Sequence, residues 1–94
     1  MIVADPARLL LRTLRRSAAA ANCVVALSHE AETRWSSATF VGGQHRVAVM
    51  GDAIDGWLVA LPEADLPMNG CFVASCAVER TATGALLTVL VLEE

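Results

Sequence analysis

The spacing of apolar positions changes along the chain, and each change marks an element. From Asp5 to Asn22 the period is helical: Leu10, Leu11 and Leu14 fall on one side, and Ala18 and Ala21 continue it with small side chains. Arg8, Arg12, Arg15 and Arg16 gather on the opposite side, within an arc of about 100°. Asp5 can accept from the free amides of a first turn, and Pro6 suits the first helical position because its missing N–H costs nothing there. Asn22 is the expected stop.

The period then falls to two. Cys23, Val24, Val25, Ala26 and Leu27 form a β-rich run that loses its apolar character at Ser28, His29, Glu30 and Glu32, which predicts a first strand ending in a turn near residues 30–33. In Val41-Gly42-Gly43-Gln44 two glycines between extended runs offer the positive φ of a two-residue hairpin turn. That turn predicts Phe40 opposite His45, Ala38 opposite Val47 and Ser36 opposite Val49 on a core face. Thr39 with Arg46, Ser37 with Ala48 and Trp35 with Met50 would form the other face.

Gly51-Asp52 breaks the strand, and Asp52 is the expected cap of a short helix. Ile54, Trp57, Leu58 and Leu61 fall there at i, i+3, i+4 and i+7, and Pro62 limits it. Residues 66–70 read as an irregular link to a final hairpin, residues 71–80 and 85–92, joined by Thr81-Ala82-Thr83-Gly84. The expected fold is therefore α+β: one domain over residues 1–94 in the order α-β-β-β-α-β-β, with a mainly antiparallel five-stranded sheet and two helices packed on one face. The predicted core comprises Leu10, Leu14, Val25, Leu27, Phe40, Val47, Val49, Trp57, Leu58, Leu61, Cys76, Val89 and Val91.

The final hairpin raises a question of cover. With Arg80 opposite Ala85, the pairs Val78 with Leu87, Cys76 with Val89 and Ala74 with Val91 share a helix-covered face. Val73, Leu86, Leu90 and Leu92 would then lie on the other, relieved only by Ser75, Ala77, Glu79 and Thr88. A strand with one wet face should alternate, whereas residues 86–92 are apolar on both sides, and two short helices are too few to cover both faces of the sheet. A homodimer is expected, with Val73, Leu86, Leu90 and Leu92 as its candidate interface, because small homo-oligomers are most often two-fold and self-complementary.

Composition narrows the function classes. Of 94 residues 55% are apolar and 18% charged, which excludes a disordered chain and leaves few charges to cover a small domain's surface. Ten acidic against seven basic residues give a net charge of −3, so general adhesion to nucleic acid is not expected. The absence of lysine and the abundance of alanine point to a GC-rich, bacterial genome. Cys23, Cys71 and Cys76 have no C-x-x-C spacing, so neither a disulfide framework nor a zinc site is signalled and a reducing, cytoplasmic setting is the simplest reading. No apolar run is long enough for a membrane span, and the segment after Arg15-Arg16 is too weakly apolar for an export signal.

The candidate chemistry is sparse. The stripe of Arg8, Arg12, Arg15 and Arg16 could hold an anion or an acidic partner, or be a solvated outer face. His29 and His45 are expected on different strands without a third ligand, His45 as a rim residue near Phe40 and His29 as a polar strand end. Ser28-His29-Glu30 is no triad, because neighbours on a strand point to opposite faces. Cys71 and Cys76, an odd number apart, are expected on opposite faces of their strand, with Cys76 a small core hydrophobe. Trp57 is read as core, whereas Trp35 is equally suited to packing or an interaction patch. No catalytic, cofactor-binding or metal-ligating residue is assigned and no cofactor is expected. The pattern favours a non-enzymatic interaction or assembly module, homodimeric or with another protein partner. Its alternative is binding of an anionic ligand or acidic partner through the arginine face.

Overall fold

A computed structural model describes residues 5–94. Its elements are α1 (Pro6–Ala20), β1 (Ala26–Ser36), β2 (Val41–Met50), α2 (Asp55–Ala60) with a 3-10 turn at Leu61–Glu63, β3 (Cys71–Arg80) and β4 (Gly84–Glu93). The four strands form one antiparallel sheet in the order β1-β2-β4-β3. The fold is α+β, as the periodicity predicts, with four strands in place of five. No described helix is long and apolar enough to cross a membrane.

The first helix begins and ends on the predicted signals. Asp5 accepts from the Ala7 amide at 3.0 Å, and Pro6 opens the first turn. At the other end Asn22 takes a positive φ of 59°, and the amides of Asn22 and Cys23 donate to the carbonyls of Ala19 and Ala18. This left-handed cap satisfies carbonyls that the last turn would leave free. Leu10, Leu14 and Ala18 are fully buried against the sheet. In the second helix Ile54, Trp57, Leu58 and Leu61 are all buried at their predicted spacing. Asp52 does not cap it: Ile54 holds that position, with no side-chain bond.

The lost strand has a definite cause. The polar residues 28–36 do not turn but extend β1, and the chain reverses at residues 37–40. There the Ser37 amide donates to the Phe40 carbonyl at 2.8 Å, while the Ser37 hydroxyl accepts from the Thr39 and Phe40 amides. A serine-based turn thus replaces the predicted glycine turn. Gly42 and Gly43 sit inside β2 without positive φ, opposite Trp35 and Arg34 on one side and Leu92 and Val91 on the other. All six predicted cross-strand pairs of that hairpin are replaced: Trp35 faces Gly42, Ser36 faces Val41 and Glu32 faces His45. A Cβ on Gly42 would lie 2.0 Å from the Val91 carbonyl oxygen, so glycine is needed for close approach and not for a turn.

The last hairpin keeps its predicted register at first, with Arg80 opposite Ala85, Val78 opposite Leu87 and Cys76 opposite Val89. A bulge at Ala74 then places Val73, not Ala74, opposite Val91. Two expectations change with it. Val73 joins the helix-facing side and leaves the candidate interface, and Cys71 comes to the same face as Cys76, both buried and free.

The core lies between the helices and the inner face formed by Val47, Val49, Ala85, Leu87, Val89 and Val91, with Cys71 and Cys76 beside them. Val25 and Leu27 are partly buried at its margin. Phe40 is not core: it is 40% exposed and its ring meets Phe72 edge to face at 5.6 Å.

Candidate functional site

Two features stand out once the register is fixed, one on each face of the sheet. On the inner face, a second bulge at Glu30 leaves that residue without a partner, so that His29 faces Val47 and Glu32 faces His45. In a regular strand residues three apart point to opposite faces; the extra residue brings His29 and Glu32 to the same one. Nε2 of His29 lies 2.9 Å from Nδ1 of His45, and that nitrogen lies 3.8 Å from Oε1 of Glu32. The two rings meet edge to face with centroids 5.2 Å apart. The adjacency corrects the expectation that the histidines stand apart: His45 is no rim residue, and His29 is no isolated strand end.

His45 is 1% exposed on a central strand, between the glycine at 43 and Val47. Among the described residues its Nε2 has no hydrogen-bond partner. Burial pushes its pKa below the ordinary value and outweighs the opposing pull of Glu32, while His29 lowers it further and Asp5 raises it. A neutral imidazole with one nitrogen toward His29 results. A cavity of about 70 Å³ is lined by Pro6, Glu32, Gly43, His45, Cys71 and Glu93, among others. The missing side chain of Gly43 keeps it open, since a Cβ there would stand 3.1 Å from Glu32 Oε2 and 3.3 Å from His45 Nε2.

Among the described residues the outer face carries no helix. Its positions, read from the pairing, are Ala26, Ser28, Ala31, Thr33 and Trp35 on β1, and Gly42, Gln44, Arg46, Ala48 and Met50 on β2. Leu86, Thr88, Leu90 and Leu92 on β4 and Phe72, Ser75, Ala77 and Glu79 on β3 complete it. Trp35, Phe40 and Met50 are 37 to 54% exposed. Leu92, between Gly42 and Phe72 in the register, is 5% exposed, whereas Leu86 and Leu90 are half-buried. The sequence singled out these three leucines and offered Trp35 as a candidate patch residue; the contact of Phe40 with Phe72 was missed, because the glycine turn put Phe40 in the core and a regular β3 put Phe72 beside Cys76.

The arginines of α1 are where the periodicity puts them. Arg8, Arg12, Arg15 and Arg16 are all exposed, and no carboxylate among the described residues pairs with them. Of the four, Arg16 lines a shallow surface depression together with Thr13, Ser17 and Asp65. Of the cysteines, Cys23 is half-buried, and burial pushes the thiols of Cys71 and Cys76 up, that of Cys76 to about 11; Glu93 and Glu94 add to the shift at Cys71.

Comparison with family models, curated proteins and solved structures found no significant match to this chain.

Proposed function

We propose that this protein is a small assembly module whose copies meet, two by two, through the helix-free face of the sheet. The observation that carries this reading is the apolar character of that face: Trp35, Phe40, Met50, Phe72, Leu86, Leu90 and Leu92 belong to it, while its charged residues are Arg46, Glu79 and, at the bulge beside Ser28, Glu30. A protein surface of this size normally breaks such patches with charge, and larger ones mark contact sites. Four strands about 4.8 Å apart and about ten residues long present of order 600 Å², close to one partner's share of a stable interface.

Charge favours a second copy as the occupant. Arg46 on β2 and Glu79 on β3 lie on opposite sides of β4. A two-fold operation can set each Arg46 against the other copy's Glu79 while leucines meet at the centre, as a self-complementary interface requires. Two sheets packed this way leave both helical layers and all four arginines of each α1 outside.

Light scattering on the purified chain at tens of micromolar tests the reading, with a dimer expected. Leu90→Glu and the more conservative Trp35→Ser should shift the population to folded monomer. A wild-type chain that stays monomeric while folded, or a dimer that both substitutions leave intact, overturns it. A stoichiometric complex with an unrelated protein and no self-association would also overturn the choice of a second copy.

A further inference from the structure

We propose that His29, Glu32 and His45 form a binding site for a single divalent transition-metal ion of the zinc class. One donor atom from each residue lies within 4.8 Å of the others. Two ligands about 2.0 to 2.1 Å from a tetrahedral ion are about 3.3 Å apart, a value between the 2.9 Å and 3.8 Å seen at His45 Nδ1. Sub-ångström movements of His29 and of the Glu32 side chain, which is 44% exposed, bring these two edges to that length, and the third edge, from His29 to Glu32, is within 4.8 Å and shortens as Glu32 swings inward.

A second observation points the same way. His45 is buried, with Nε2 unpartnered among the described residues, beside a small cavity that the charged residues Glu32, Arg34 and Glu93 also line. When Nδ1 binds an ion, Nε2 carries the proton, and a water in the cavity is the acceptor that such a ligand usually has. In the metal-free protein the short contact between the imidazoles needs one proton between them. The ion takes that proton's place, and the displaced proton moves to the other nitrogen of the ring that held it, so that His29 carries its proton on Nδ1, His45 carries its own on Nε2, and both rings remain neutral. The charge of Glu32 offsets part of the ion's charge at the open side.

The donor set selects the ion class. Two imidazoles and one carboxylate suit Zn²⁺, Co²⁺ or Ni²⁺, whereas Mg²⁺ and Ca²⁺ prefer oxygen alone. Three protein ligands leave a fourth position toward the exposed edge of β1 for water or an anion. Two-residue motifs in the sequence do not reveal this site, because only the bulge at Glu30 makes its spacing work.

The test uses the full chain, stripped with a chelator and then titrated with Zn²⁺ alone and Co²⁺ alone. One ion per chain is expected, with a tetrahedral cobalt spectrum lacking sulfur-to-metal charge transfer. Nitrogen-15 shifts should appear at Nε2 of His29 and Nδ1 of His45. Because substitutions at buried His45 threaten folding, the variants are Glu32→Gln and His29→Gln, each expected to weaken Zn²⁺ binding by about tenfold or more while leaving the metal-free melting temperature near wild type. Absence of binding at micromolar Zn²⁺, a thiolate charge-transfer band, or affinity unchanged in both variants overturns the assignment.

Discussion

The indole N–H of Trp57 donates to the hydroxyl of Ser17 at 3.0 Å, and this bond joins α2 to α1. Trp57 is 6% exposed, so its N–H has little access to water if the hydroxyl is removed. Ser17→Ala is therefore expected to cost about 1 to 2 kcal/mol, more than a half-buried serine otherwise would. Denaturant unfolding of Ser17→Ala, Trp57→Phe and the double variant checks this, and the two losses should add to more than the double variant loses.

The adjacent glycines of β2 should behave differently. At Gly42 a Cβ meets the backbone of Val91 and Leu92, which cannot yield without disturbing the ladder. Gly42→Ala is expected to cost more than about 2 kcal/mol or to prevent folding. At Gly43 the nearest atoms are the side chains of Glu32 and His45, and Gly43→Ala should cost under about 1 kcal/mol. Thermal melts of both variants provide the comparison.

Burial of Cys76 gives stability an alkaline limit. The folded chain holds the thiol proton to about pH 11, whereas the unfolded chain releases it above 9.0. Between those values the unfolded state binds fewer protons, so stability falls as pH rises, by up to about 2 to 3 kcal/mol from this group. Cys76→Ala should be less stable at neutral pH and flatter above pH 9. In the native protein a thiol reagent should modify Cys23 first and reach Cys71 and Cys76 only on opening of the fold.

Replacing Arg8, Arg12 and Arg16 together by glutamine should change stability by less than about 1 kcal/mol, since all three are exposed and unpaired among the described residues. A chemical melt measures that. If an anionic ligand uses this helix face, the same variant should lose salt-sensitive binding with the fold unchanged.

Local signals served well where one cause acts alone. Asp5, Pro6 and Asn22 announce α1 because a cap depends on a few neighbouring atoms. The stripe of Ile54, Trp57, Leu58 and Leu61 announces α2 because its period is buried on a single face. The first hairpin was illegible for two reasons. Residues 30–36 of β1 lie at a sheet edge and are exposed, so no alternation marks them as extended. The pair Gly42-Gly43 carries the same letters as a turn but answers to the approach of Val91 from β4, a neighbour far along the chain. Both bulges leave no local trace, and the His29, Glu32 and His45 cluster depends on one of them.

The two irregularities of pairing fall on β1 and β3, the outermost strands, while the ladder between β2 and β4 runs without a shift. An exposed edge is a template for another chain, and a bulge spoils it by twisting the free amides and carbonyls out of line. Sheets can thus stack face to face without also lengthening edge to edge into a fibre. Removing Glu30 would leave every cross-strand partner of β1 in place, since His29 and Ala31 already face the consecutive residues Val47 and Arg46. The shortened chain would keep its pairing yet present a straight, adhesive border, and on prolonged agitation it should form thioflavin-positive fibrils at concentrations where the wild-type chain stays clear.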